Sequence, residues 1–402
     1  MKQVLDLHIH SKYSRACSPQ LTLENIAKTC STKGIDIVST GDFTHPFWYK
    51  EIENKLEEIK KTGLYQLKNS SIKTKFILGT ELSLVYKDKG KSRRIHLVVH
   101  APNLNAVKKL NDKLGERFNL RSDGRPILGI SAPKFCALCF AIDANFLIYP
   151  AHIWTPWYSV FGSKSGFNSL VDCFDEYTDK IYAIETGLSS DPEMNWRLSA
   201  LDNLSILSSS DAHSLNNLGR EATVMKFDDE ITYQAIYQNI KDRKNLVMTL
   251  EFYPEEGMYH FDGHRLCNFS CSPKETLKLK SLCPVCHRPL VVGVASRVEE
   301  LADRALGCKP LEAVPFKKLI ELDKIIAETL KVKSRASKKV VNEYNKLIST
   351  FGTELFILLD LDLEKIDSPL LATAIDKVRR GDLNIKPGFD GEYGRVKIFE
   401  EK

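Results

Sequence analysis

Apolar residues fall in short runs that alternate with longer, helically periodic stretches through the first half of the chain. The runs Val4–His10, Ile35–Thr40, Lys75–Glu81, Arg94–His100, Asn145–Ala151, Ile181–Thr186 and Leu204–Ser210 predict strands. Leu23–Lys33, Tyr49–Lys61, Asn105–Phe118 and Pro192–Leu201 predict helices between them. This alternation implies an α/β domain on a parallel sheet, either open or closed into a barrel. After Thr249 the pattern changes: Tyr259–Val292 is rich in Cys, His and Pro, Leu301–Leu363 is helical and charged, and Pro387–Gly394 is rich in turn residues. Three units are expected, at residues 1–250, 251–300 and 301–402.

Residues able to bind metal stand at the ends of these runs. His8 and His10 close the first, Asp42 follows the second, Glu81 closes the third and His100 the fourth. His152 follows the fifth, and Asp211 and His213 follow the seventh. Chemistry in α/β folds gathers at the C-terminal ends of strands, so a single active site is expected there. Residues two apart on a strand share a face, and His8 and His10 can therefore aim at one metal. Imidazole suits zinc, and carboxylates suit zinc, manganese and magnesium. Each piece has a plainer reading: H-x-H can be two surface histidines, and Asp42, Ser210 and Asp211 are good helix N-caps. Their common edge argues for the site.

The cysteines add a second centre. Cys267-x3-Cys271-x11-Cys283-x2-Cys286 has the spacing of a structural zinc site, with His264 an alternative to Cys267 or Cys271. Cys136 and Cys139 lie in the apolar stretch Phe135–Ile142 and read as core thiols of a helix. With ten cysteines, no leader ahead of the first strand and no apolar run near the ~18 residues of a membrane span, a cytoplasmic chain without membrane contact is expected. The net charge of +5 is local: Leu301–Thr350 holds eleven Lys or Arg against six Asp or Glu. Lys331, Lys333, Arg335, Lys338 and Lys339 there are either a solvated helix face or a phosphate contact. Trp154, Trp157, Tyr158 and Lys164 follow His152 in one loop, which either forms a lid or a small satellite core or stacks an unpaired or flipped base.

The segments DLHIHSKYS, STGDFTHP, ILGTELSL, HLVVHAP, YPAHIW and SSSDAH resemble, in order, the motifs of the polymerase-and-histidinol-phosphatase (PHP) superfamily. The resemblance implies a distorted (β/α)7 barrel whose metal site hydrolyses phosphoesters. By position it makes His8, His10, Glu81, His100, His152, Asp211 and His213 metal ligands, with Asp42, His45 and His96 as further candidates and His96 competing with His100. Lys12, Tyr13 and Ser14 stand where many members have another histidine, and Asp42-Phe43 where many have Asp-His, so two metals are expected. Glu81 or Asp211 would bridge them, and His152 or His213 would protonate the leaving group. Zinc is expected in the cysteine site and in the barrel, with magnesium or manganese for catalysis.

The barrel, the Cys-rich knuckle, VPFKKLI, SKKV, NEY and the tail PGFDGEYG, together with GDFTHP and WTPWYSVFGSKSGF, resemble the endonuclease Q family along essentially the whole chain. That resemblance implies an endonuclease that nicks double-stranded DNA on the 5′ side of uracil, hypoxanthine, xanthine or an abasic site. A replication or repair clamp is a further candidate partner. Composition and spacing alone reach only a metal phosphoesterase with a polyanionic partner. A small-molecule phosphatase and a non-catalytic DNA-binding module are the alternative readings.

Overall fold

The first helix shows how local signals set the architecture. Leu23–Lys33 begins where the Thr22 hydroxyl accepts the Asn25 N–H and ends at Gly34, whose φ of 89° gives a left-handed cap. Its buried residues Leu23, Ile26, Ala27 and Cys30 recur at three- and four-residue spacing and face the main core. The computed structural model describes residues 1–400. Its strands in chain order are β1 (Lys2–Asp6), β2 (Ile37–Ser39), β3 (Leu56–Glu58), β4 (Leu64–Leu67), β5 (Lys75–Ile77) and β6 (Gly79–Asp88). There follow β7 (Lys91–His100), β8 (Ile127–Leu128), β9 (Leu147–Pro150), β10 (Ala183–Glu185) and β11 (Ser205–Leu207). Next come β12 (Ala222–Lys226), β13 (Leu246–Glu251), β14 (Asp262–His264), β15 (Phe269–Cys271), β16 (Phe316–Lys318), β17 (Asn384–Lys386) and β18 (Arg395–Lys397).

One sheet runs β16-β13-β12-β1-β2-β5-β4-β3 and another β8-β6-β7-β9, while β10 pairs with β11. Chain continuity and main-chain hydrogen bonds link the three. Leu78 alone separates β5 from β6, Ile153 N–H donates to Glu185 O at 3.0 Å, and Asp211 N–H donates to His8 O at 2.9 Å. From β1 through β2, β5–β6, β7, β9, β10 and β11 the neighbours thus return to β1.

The pairing is mixed, which corrects the expectation of a parallel sheet. β7 is antiparallel to both β6 and β9. The cause is local: β6 folds straight back into β7 through Lys89 and Gly90, whose φ values are 46° and 79°. Two further ladders went unread in the sequence: β12 lies antiparallel to β1, and β13 antiparallel to β12. The second helix occupies Pro46–Lys55 rather than Tyr49–Lys61, because Pro46 sets its first turn and β3 begins at Leu56. Pro192–Leu201 is one short helix, Pro192–Asn195, followed by a 3-10 turn at Ser199–Leu201.

The helices Leu322–Thr329, Lys338–Phe351, Glu354–Leu359 and Pro369–Arg380 share one buried cluster with Ala222, Val224 and Leu250 of β12 and β13. The C-terminal helices therefore pack on the sheet rather than hang from it. Arg297, in the helix Val294–Leu301 that follows the Cys-rich segment, ties that helix to the loop after β9 by donating to Phe161 O and Phe167 O at 3.0 Å each. No described helix is long and apolar enough to cross a membrane.

Two carboxyls are buried where β13 meets the loop after β10. Glu251 Oε2 accepts the Thr186 hydroxyl at 3.1 Å and Glu221 Oε1 accepts the Phe252 N–H at 3.1 Å, while their other oxygens have no partner. Burial, with Asp191 adding to it, pushes Glu251 up to about 8 from the usual 4.5. A carboxyl whose folded value is raised contributes stability that is full below the unfolded value and is lost as pH rises through the folded one. Wild type should therefore lose on the order of 3 kcal/mol between pH 5 and pH 9 from this group. Glu251→Gln should remove most of that loss. Thermal unfolding across this range checks it, and parallel losses in both proteins would refute the assignment.

Candidate active site

Glu81 is completely buried on β6, and its two oxygens face two different sets of side chains. Oε2 lies 3.2 Å from His10 Nε2 and 3.5 Å from His8 Nε2. Oε1 lies 2.8 Å from His96 Nδ1 and 3.0 Å from His152 Nε2. Asp211 joins the first set, its Oδ1 lying 3.1 Å from His10 Nε2 and 3.8 Å from His8 Nε2. Two donor sets result, His8–His10–Glu81–Asp211 and Glu81–His96–His152, each with its donor atoms within 4.8 Å of one another. His8 Nε2, His10 Nε2 and Asp211 Oδ1 are buried yet make no hydrogen bond. Buried polar atoms are normally partnered, and nitrogen and carboxylate donors at this spacing fit divalent cations such as zinc or manganese. Burial works against charge on Glu81, but His96, Arg125 and His8 outweigh it and hold its carboxyl well below the usual range. Asp211 is held low in the same way, by His10 and His8 against burial.

Carboxylates behind the imidazoles aim them. His10 Nδ1 meets Asp42 Oδ1 at 3.0 Å, and His8 Nδ1 meets both oxygens of Glu185 at 3.0 Å. Such a partner fixes the tautomer and turns Nε2 toward a metal. Glu185 Oε2 also accepts the His152 backbone N–H at 2.8 Å. Asp42, His152 and Asp211 hold left-handed backbones, with φ of 46°, 28° and 46°. Residues with a Cβ rarely adopt this region, and such residues gather at functional sites. The His152 turn also needs Gly187 opposite, where a Cβ would lie 2.4 Å from His152 Cβ.

The other expected residues fall in several places. His100 stands apart from both donor sets, with Nε2 3.1 Å from Tyr149 Oη, and His96 occupies the position expected of it. Because β7 runs backwards, its last residue faces Gly79, while His96 faces Ser83, farther along β6 past Glu81. Asp42 lies behind His10 rather than among the donors, and His45 stacks on Tyr13 with ring centroids 4.4 Å apart. His213 packs edge-on against His10 at 4.7 Å and donates from Nδ1 to Asp211 O at 2.9 Å.

Trp154 is wholly buried and donates to Asn195 Oδ1 at 2.8 Å, which removes it from the reach of a nucleotide. Tyr158 is half-buried with its ring 4.8 Å from His96, Trp157 is exposed beside Tyr259, and Lys164 is exposed. Lys331, Lys333, Lys338 and Lys339 are exposed, but Arg335 is engaged with Asp323 at 2.8 Å and Glu321 at 3.3 Å. Glu185 and Arg125 were not anticipated. Glu185 sits at the end of the sixth predicted run, so the edge rule points to it; Arg125 lies in a loop with no periodic signal.

A second donor cluster lies in the Cys-rich segment. His264, Cys267, Cys283 and Cys286 bring their ligand atoms within 4.8 Å of one another. Cys271 is instead 3.2 Å from the Thr276 hydroxyl. In the β14–β15 hairpin Cys271 pairs with Asp262 at the open end, whereas His264 pairs with Phe269 next to the turn that carries Cys267. His264 thus takes the place expected of Cys271.

Residues 321–382 match the family model described as the MJ0043 C-terminal domain. The MJ0043 protein of Methanocaldococcus jannaschii is 32% identical over 256 residues, which are 62% of this chain but only 32% of that longer protein. The YqxK protein of Bacillus subtilis is 30% identical over 427 aligned positions, covering 99% of this chain and 100% of that one. The crystal structure of the lesion-specific endonuclease PfuEndoQ from Pyrococcus furiosus superposes with a TM-score of 0.87 at 32% identity, covering 100% of this chain and 96% of that one. Endonuclease Q in complex with a 27-mer duplex that carries an abasic lesion gives a TM-score of 0.86 at 32% identity, covering 100% and 97%. With the fold and sequence shared from end to end, the chain belongs to the endonuclease Q family.

Proposed function

We propose that this chain is a metal-dependent DNA endonuclease that hydrolyses the phosphodiester 5′ of deaminated bases (uracil, hypoxanthine, xanthine) and of abasic sites. The observation that carries this is Glu81, shared between two sets of metal donors. When bound, a pair of divalent cations there lowers the pKa of water and stabilises charge on the departing oxygen. Zinc is the ion that His8, His10, His96 and His152 favour, and magnesium or manganese serves through Glu81 and Asp211. His152 commits its ring nitrogens to Thr155 and Glu81. His213 is therefore the histidine left for proton transfer.

The ring of strands is read as the distorted (β/α)7 barrel of a PHP domain at residues 1–250. Residues 251–300 form a zinc module held by His264, Cys267, Cys283 and Cys286. Residues 301–402 form the helical unit whose exposed lysines meet duplex phosphates. Tyr158, next to His96, is the aromatic placed to stack the lesion nucleotide. The test is a gel assay with the full-length protein and magnesium or manganese on end-labelled duplexes carrying one uracil, hypoxanthine or abasic site. A single nick 5′ of the lesion, lost with chelator, is expected. Hydrolysis of a simple phosphomonoester without any nick would return the protein to the phosphatases.

A further inference from the structure

The loop between the helix Leu104–Gly115 and β8 is docked onto the back of the metal site. Gly124 N–H donates to Tyr13 O at 3.0 Å, and Asp123 Oδ1 accepts the Arg125 N–H at 3.1 Å. The approach is too close for any side chain at 124, since a Cβ there would lie 2.3 Å from Ser14 Oγ and 2.4 Å from Asp42 Oδ2. This docking delivers the next residue to the centre: Arg125 Nη1 donates to Glu81 Oε2 at 2.8 Å. Glu81 has no exposure, whereas the Arg125 side chain keeps 26% of its own, so the guanidinium forms part of the open wall. Among the described residues Glu81 is the one acid within ion-pairing reach of Arg125, which leaves most of its five N–H donors free.

Glu81 and Asp211 bring two negative charges to the donor sets, and Asp42 and Glu185 stand behind the imidazoles with two more, which a pair of divalent cations would balance. Arg125 then adds a positive charge whose partner, Glu81, those cations would share, and that charge calls for a further anion. The planar fork of arginine matches two oxygens of a phosphate. We propose that Arg125 is a catalytic residue that leaves Glu81 to grip the scissile phosphate and stabilise its charge during hydrolysis. The proposal rests on the phosphodiesterase reading above.

Arg125→Ala, Arg125→Lys and wild type are compared as full-length metal-loaded proteins. The single-turnover rate divided by the half-saturating enzyme concentration is measured on an abasic duplex. The competitor is the same duplex with an uncharged methylphosphonate at the scissile position, read by its inhibition constant. Metal content is measured by mass spectrometry. Arg125→Ala should lose about 100-fold on the phosphodiester and change the competitor's inhibition constant by less than about threefold, with metal content unchanged. Arg125→Lys, which keeps the charge but not the fork, should recover to within about tenfold of wild type. An unchanged rate, a competitor weakened as much as the substrate, or a loss of metal would overturn the proposal. A wild type that nicks no lesion duplex would instead sink the endonuclease reading itself.

Discussion

Glu81→Gln is expected to lower lesion-directed nicking by about 10³-fold or more and to release divalent ions from both donor sets together. The reason is the division of its oxygens: Oε2 serves His8 and His10, and Oε1 serves His96 and His152. An amide offers one neutral acceptor and one donor, so at least one set would face an N–H where it needs an anion. The fold should tolerate the change better than the chemistry does. Gln keeps the shape of Glu, the imidazoles can lose their protons, and Arg125 reaches water. Glu185→Gln is the informative contrast. Glu185 touches His8 Nδ1 and the His152 backbone N–H without facing either donor set, so its loss should cost about 10- to 100-fold with metals retained. Metal content, nicking rate and thermal unfolding of the two variants separate a shared ligand from a positioning group. Metals kept by Glu81→Gln and lost by Glu185→Gln would reverse these roles.

The sequence made much of this centre legible, because strands deliver it. His8, His10, Glu81, His152 and Asp211 each stand at or just past the end of an apolar run, and the structure brings all five together. The rule failed at the fourth run for a topological reason. A strand that returns through a tight hairpin carries its C-terminal end to the opposite edge, so the residue at Glu81 is His96 and not His100. Nothing in the apolar pattern of Arg94–His100 reveals strand direction; the turn residues Lys89 and Gly90 were the available signal. Arg125 was illegible for a different reason. Its place depends on Gly124 fitting against Ser14 and Asp42, a contact between distant segments that no local periodicity encodes. The aromatic loop after His152 divides along the same line. Trp154 is claimed by Asn195 in the core, while Tyr158 reaches His96, and composition alone could not distinguish them.

The Cys-rich segment carries the second large effect, because it has little else to hold it. Its own buried cluster is Cys271, Cys283 and Leu290, far less than a domain of this size needs. A structural zinc contributes about 10 to 16 kcal/mol of binding energy in small domains of this kind, and that energy is folding energy. Cys283→Ser should therefore release zinc and open residues 262–290 to proteolysis and hydrogen exchange, while the core of the N-terminal sheets stays protected. Nicking should fall as well, since Tyr259, at the start of this segment, packs edge-on against Trp157 of the loop that carries Tyr158. His264→Ala should behave like Cys283→Ser. Cys271→Ser should not: its sulfur meets the Thr276 hydroxyl instead of the donor cluster, and a serine can keep that contact. Zinc content of the three variants decides between the donor sets. If Cys271→Ser loses its zinc and His264→Ala retains it, the ligands are the four cysteines of the sequence spacing, and the hairpin must pair in a register that moves Cys271 next to Cys267.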